Sequence, residues 1–238
     1  MKQVILITLS GYTDYNVSLI EQIKKTSDID VILAWDKKGI NIEIKEDELN
    51  IINCCDELFK KYGEKIKNFN GRWEDNPAKL GVLHWFSQNE KYDFMWVFED
   101  DVYVKNCKEF IDCYSNENTD IICKHDSKLP FWYPGYRVGD KNLLSRDKDF
   151  VYSHLYIVRY SKKACKDIIN EIVESDETNH HELWIPYVTF KKELSHSNLL
   201  SKHLSGLRTN PTSNTNNSFS KISHEICHPY KHKLVQSN

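Results

Sequence analysis

The chain has 238 residues, a net charge of −3, 40% hydrophobic and 28% charged residues. That length fits one large α/β domain, or two small ones at most, with a core that is not marginal. The slight acidic excess argues against a general nucleic-acid binder, which needs a basic surplus. Six Trp, 13 Tyr and 10 Phe exclude a disordered chain, while only 8 Gly and 6 Pro exclude collagen-like or Pro-rich scaffolds.

Val4–Leu9 is a short apolar run ending at Ser10-Gly11, the pattern of a buried strand opening into a turn. Asp14 caps a predicted helix with Val17, Ile20 and Ile23 on one face, and Val31–Trp35 is a second buried strand ending at Asp36. Strand, helix and strand over some thirty residues predict a βαβ unit and hence a parallel sheet. Residues 40–70 mix apolar pairs with charge and give no clear element. Asn76 and Pro77 open a predicted helix over 77–87, and Phe94–Phe98 is an apolar run too short for a helix, a central strand. His154–Val158 predicts a further strand, followed by a helix capped by Ser161 with Ala164, Cys165, Ile168, Ile169, Ile172 and Val173 on its buried face. Residues 209–220 are polar and of low complexity, a surface loop expected to close over a bound nucleotide.

Seven Cys residues, none spaced as Cys-x-x-Cys, fit reduced thiols in a cytoplasmic protein. The N-terminus lacks the apolar core of a signal peptide, and no stretch approaches the ~20 apolar residues of a membrane span.

The sharpest chemical feature is Glu99-Asp100-Asp101, three carboxylates where an apolar strand ends. Their mutual repulsion gains folding nothing, whereas hard oxygen donors at a strand's carboxyl end suit Mg²⁺ or Mn²⁺ completed by substrate phosphates. Alternation places Glu99 and Asp101 on one side and Asp100 on the other. The bland alternative is an acidic turn on a solvated rim.

Phe94–Val102 with this triplet resembles the Asp-x-Asp segment of nucleotide-sugar glycosyltransferases of the GT-A fold, with Glu99 standing where the short motif has its first Asp. The opening strand with Ser10, Gly11 and Tyr12, and the strand and helix over 154–174, are similar to other parts of that fold. The resemblance implies a single α/β domain with a mixed, mostly parallel sheet flanked by helices. Residues 1–105 would form a nucleotide-sugar half and 106–238 an acceptor half. It implies a sugar moved from a nucleotide diphosphate donor, UDP-linked by expectation, to a glycan or other hydroxyl acceptor, with Mn²⁺ or Mg²⁺ as cofactor. Metal ligands would be Glu99, Asp101 and His228, the last a neutral imidazole able to complete an oxygen-rich site.

Glu182, between His180-His181 and Leu183-Trp184, is the expected base that takes the acceptor's proton. Asp101 is expected to be catalytic through the metal. Ser10, Gly11, Tyr12, Asp36, Lys79, Asp100 and Lys231 are expected at the donor, Lys231 by neutralising the leaving diphosphate. Trp132, Tyr133, Tyr136 and Trp184 are expected to face the acceptor. For each the bland reading stays open: a packed loop for the aromatics, a solvated tail for His228 and Lys231, a helix-start carboxylate for Glu182. A metal-dependent nucleotidyltransferase or phosphohydrolase, and a carbohydrate-binding protein without turnover, remain as alternatives.

Overall fold

The computed structural model describes residues 1–9, 14–35, 51–52, 77–129, 147–175, 181–204, 207 and 226–227. Their strands are β1 (Gln3–Leu9), β2 (Asp30–Trp35), β3 (Ile51–Ile52), β4 (Phe94–Glu99), β5 (Tyr103–Val104), β6 (Ile121–Asp126), β7 (Tyr152–Ser161), β8 (His196–Asn198) and β9 (Ile226–Cys227). Their helices are α1 (Asp14–Lys25), α2 (Pro77–Gln88), α3 (Cys107–Asp112), α4 (Lys162–Glu174), α5 (His181–Lys191) and α6 (Ser201–Leu204).

Seven strands form one sheet in the order β3-β2-β1-β4-β7-β6-β8. β1 pairs in parallel with β2 and β4, β2 with β3, and β6 with β8, while β7 runs antiparallel between β4 and β6. The expected mixed, mostly parallel sheet is the one observed. All ten residues of β7 are buried, as an interior strand covered on both faces must be.

Alternate side chains of the strands feed two cores. Val4, Leu6, Met95, Val97, Val158 and Tyr160 pack under α2, α4 and α5. Ile5, Ile7, Trp96, Phe98 and Ile157 pack under α1 and α3 on the other face. The result is a three-layer α/β/α sandwich. Ser161 caps α4, its hydroxyl accepting from the Ala164 amide at 3.0 Å, a contact worth about 1 kcal/mol. Among the described cysteines Cys107, Cys113, Cys123 and Cys165 are free thiols. Among the described residues no helix is long and apolar enough to cross a membrane.

Two features aim the chemistry at one edge. Because β6 and β4 are both antiparallel to β7, they run the same way. The carboxyl ends of β1, β2, β4 and β6 and the amino end of β7 therefore share one edge. The β4–β7 pairing stops at Phe98–Ile157, so Tyr152–Tyr156 project past the acidic end of β4, held there by β6. A bulge at Cys123/Lys124 shifts the β6 register at the same place.

Candidate active site

The apolar run of β4 continues to Glu99, on the face that also carries Met95 and Val97. Strand alternation ends there. Asp100 and Asp101 form a turn closed by the Val102 amide donating to the Glu99 carbonyl at 3.1 Å. The expected split of Glu99 and Asp101 from Asp100 is therefore corrected: turn geometry, not the period of a strand, orients the last two carboxylates. All three are half-buried.

Glu99 faces α2, where the ammonium of Lys79 forms an ion pair with its Oε1. Lys79 also donates to His181 Nε2 at 3.4 Å. An ammonium has no acceptor, so the neutral imidazole presents Nε2 as its lone-pair nitrogen. One partly buried cation thus ties α2, β4 and the start of α5 together.

Glu182, the next residue of α5, bears the most perturbed carboxyl of this edge. Burial raises its pKa to about 7, and the charge of Glu99 adds to the rise. The Tyr152 hydroxyl, the Lys79 charge and the Leu155 amide oppose it. The main chain of Glu182 is held as well. Pro186, four residues on, has no N–H to return to the Glu182 carbonyl, and the buried Ser153 hydroxyl donates to that carbonyl at 2.9 Å instead. Proline within the helix thereby frees the group that anchors Glu182 to β7.

Further along the edge, His154 Nε2 meets Asp126 Oδ2 at 2.7 Å, and the hydrogen bond from His154 holds the Asp126 pKa below the usual carboxylate range. The rings of Tyr152, His154 and Tyr156 stand in a row, with centroids 4.9 and 5.5 Å apart. Asp126, Tyr152, Ser153 and His154 were missed by sequence reasoning. The Tyr-x-His-x-Tyr alternation was visible, but its value depends on the overhang of β7, which only the register reveals.

Ile226–Cys227 also return to this edge. Cys227 pairs with Tyr103 and Ile226 with Val104, so the residue preceding His228 lies opposite a position two residues beyond Asp101. His228 and Lys231 lie outside the described residues, as do Ser10, Gly11, Tyr12, Asp36, Trp132, Tyr133, Tyr136 and the loop 209–220. Of the expected site residues, the structure brings together Lys79, Glu99, Asp100, Asp101 and Glu182. Trp184 is corrected. Its side chain is fully buried in the core against Tyr187, with ring centroids 5.1 Å apart, and offers no face to an acceptor.

Among the described residues no three His, Cys, Asp or Glu side chains converge as a complete metal site. The donor chemistry that fits a hard cation is Asp100 and Asp101 at the carboxyl end of β4. One or two carboxylates, completed by substrate phosphates and water, are what Mg²⁺ or Mn²⁺ ordinarily takes in nucleotide sites.

No protein-family model matches the chain, and no curated protein matches it. Solved structures do. The chain is similar to the galactosyltransferase LgtC in complex with donor and acceptor sugar analogues, with a TM-score of 0.52 and 13% identity over 84% of this chain and 74% of that one. It is similar to the bifunctional glycosyltransferase WbbM in its apo form, with a TM-score of 0.51 and 12% identity over 86% of this chain. The match spans 40% of WbbM's length. At these identities the likeness is one of fold, and that fold is GT-A.

Proposed function

We propose that this chain is a glycosyltransferase that moves a sugar from a nucleotide diphosphate donor to an acceptor hydroxyl, with Glu182 as the general base. One observation carries the reading. A carboxyl raised to about 7 stands beside the acidic end of β4, at the edge where open α/β sheets bind ligands. A base poised near neutrality combines a large deprotonated fraction with a useful appetite for protons.

In this reading the acceptor's O–H bond breaks and its proton passes to the Glu182 carboxylate. The acceptor oxygen forms the new bond to the anomeric carbon. The bond from that carbon to the diphosphate oxygen breaks, and its electron pair leaves with the nucleoside diphosphate. Attack from the face opposite the leaving group would invert the anomeric centre. Lys79, paired to Glu99, keeps one carboxylate of the triplet neutralised and places a positive charge beside Glu182. Asp100 and Asp101 would hold a divalent cation, which when bound screens the charge of the diphosphate. Glu99, whose carboxylate is engaged by Lys79, is placed outside that ligand set. His228 and Lys231 remain proposed at the same edge, supported by the return of Ile226–Cys227 to β5.

The test is release of nucleoside diphosphate from a panel of nucleotide sugars, with and without Mn²⁺ and with simple glycan acceptors. Acceptor-dependent release that drops roughly 10²–10⁴-fold in Glu182→Gln, with donor binding retained, is the expected result. Pyrophosphate or inorganic phosphate as the product would instead favour a nucleotidyltransferase or phosphohydrolase.

A further inference from the structure

We propose that Tyr152 is the positioning residue of Glu182, its hydroxyl fixing one carboxylate oxygen so that the acid group is presented in a single orientation. The inference rests on the role proposed for Glu182. Three contacts from one short stretch of β7 support it. The Tyr152 hydroxyl donates to Glu182 Oε2, the Ser153 hydroxyl donates to the Glu182 carbonyl, and the Leu155 amide donates to the carboxylate. Side chain and main chain of one acid are thus clamped by one strand, on the stretch that overhangs the end of β4.

Tyr152 is itself held. It is 2% exposed, it pairs with Asp126 across the β6–β7 ladder, and its ring meets the His154 ring edge-on at an interplanar angle of 80°. His154 in turn is tied to Asp126. A tyrosine packed in this way has little rotamer freedom left, so its hydroxyl is a fixed point in the site. Burial and the negative charge of Glu182 both push the Tyr152 pKa upward, so it stays a hydrogen-bond donor across the working range. It touches the base rather than the reacting atoms.

The groups facing Glu182 come from every neighbouring element. Lys79 of α2 lowers its pKa, and Glu99 of β4 raises it. Tyr152 and Tyr156 of β7, and Cys123 of β6, lie near enough to feel its charge, and each stays protonated. Asp126 of β6 acts on the same tyrosines, and neutral His181 precedes Glu182 in α5. Of the neutral groups in this set it is the Tyr152 hydroxyl that hydrogen-bonds the carboxylate, and deleting it changes no formal charge near the base.

The experiment follows Glu182 directly, by carbon NMR of the protein labelled at the glutamate carboxyl, with Glu182→Gln identifying the resonance. In Tyr152→Phe the titration midpoint of Glu182 should rise by about half a pH unit or more, because the lost hydrogen bond favours the carboxylate. The acid limb of the kcat profile should move up with it. At neutral pH kcat should fall roughly tenfold while the donor KM stays within about twofold. An unchanged midpoint and an unchanged acid limb would overturn the proposal. Should Tyr152→Phe not fold, the ring carbon bearing the hydroxyl of Tyr152 serves in the wild-type protein. Its resonance should shift with the Glu182 titration and lose that shift in Glu182→Gln, and a resonance indifferent to it would equally overturn the proposal. If Glu182→Gln keeps full transfer while the midpoint still moves in Tyr152→Phe, the base assignment fails and the contact between the two residues stands.

Discussion

Lys79 of α2 and Glu99 of β4 form an ion pair at the carboxyl end of the sheet, their side chains 12% and 26% exposed. The pair crosses from helix to strand on the face of the larger core. It gives the acidic triplet an internal cation before any ligand arrives. Its partial burial separates it from exposed pairs such as Lys108–Asp28, which contribute little.

A double-mutant cycle measures this pair. Lys79→Met and Glu99→Gln, alone and together, are expected to show a coupling energy of about 0.5–3 kcal/mol in urea denaturation. Each single variant strands a partly buried charge, so the double variant should be more stable than the sum of the singles implies. Strict additivity would mean that solvent screens the contact.

The same pair predicts how the triplet divides its labour. With its carboxylate engaged by Lys79, Glu99 should be dispensable for cation binding. In a thermal-shift titration with Mn²⁺ and UDP, Glu99→Gln should keep most of the ligand-induced rise in Tm, and Asp101→Asn should lose it. A saturating ligand at 100 times its Kd adds about 2.7 kcal/mol, so the contrast is easily read. Equal loss in both variants would return Glu99 to the ligand set.

The raised pKa of Glu182 carries a stability signature independent of activity. The folded state holds its proton up to about pH 7, against a reference value of 4.5. Between those values the folded state binds more protons than the unfolded state, so stability falls as pH rises through this window and levels off above it. Glu182→Gln removes this dependence while retaining an acceptor for Tyr152. The variant should therefore gain stability relative to wild type as pH increases from about 4.5 to 7. Parallel stability curves for the two proteins would show that the carboxyl is not shifted.

Ser153 and Pro186 form a testable compensation. Ser153→Ala leaves the Glu182 carbonyl without its hydroxyl donor, an expected cost of about 1–3 kcal/mol. Pro186→Ala restores an amide four residues beyond Glu182, which can donate to that carbonyl within the helix. Added to Ser153→Ala it should recover part of the lost stability, seen as a smaller fall in the urea midpoint. No recovery would mean that α5 does not relax into regular hydrogen bonding there.

Much of the frame was legible because its signals are local. The apolar runs at Val4–Leu9, Val31–Trp35 and Phe94–Phe98 are continuous, as strands buried on both faces require, and each proves to be a strand of the central sheet. The cap at Ser161 marks the start of α4 to the residue. Glu99, Asp100 and Asp101 announced themselves by ending an apolar run. What was not legible depends on register. His181–Lys191 is helical despite Pro186, and its apolar residues surround the helix rather than striping it, so no period pointed to a buried face. Trp184 read as an acceptor-facing aromatic beside a candidate base, but a helix wrapped in core on most sides leaves it no route to the surface. The short β6, polar from Lys124 onward, became a strand through its ladder with β7 and not through its own pattern.

The position of β7 has a consequence for how the molecule comes into being. β1 pairs with β4 some ninety positions later, and β4 with β7 some sixty later still, so the interior of the sheet is made of distant partners. Such topologies fold slowly, because the chain must close long loops before contacts repay the cost. During synthesis the acids of β4 emerge well before Glu182. Until β7 slots between β4 and β6, Met95–Phe98 present an apolar open edge, and β6 has no link to the rest of the sheet. A nascent chain ending near Asp126 thus carries the carboxylates without Glu182 and displays a surface prone to pairing with other chains. Cutting the chain after Asp126 would give fragments that must find one another across that strand before Glu99 and Glu182 share an edge.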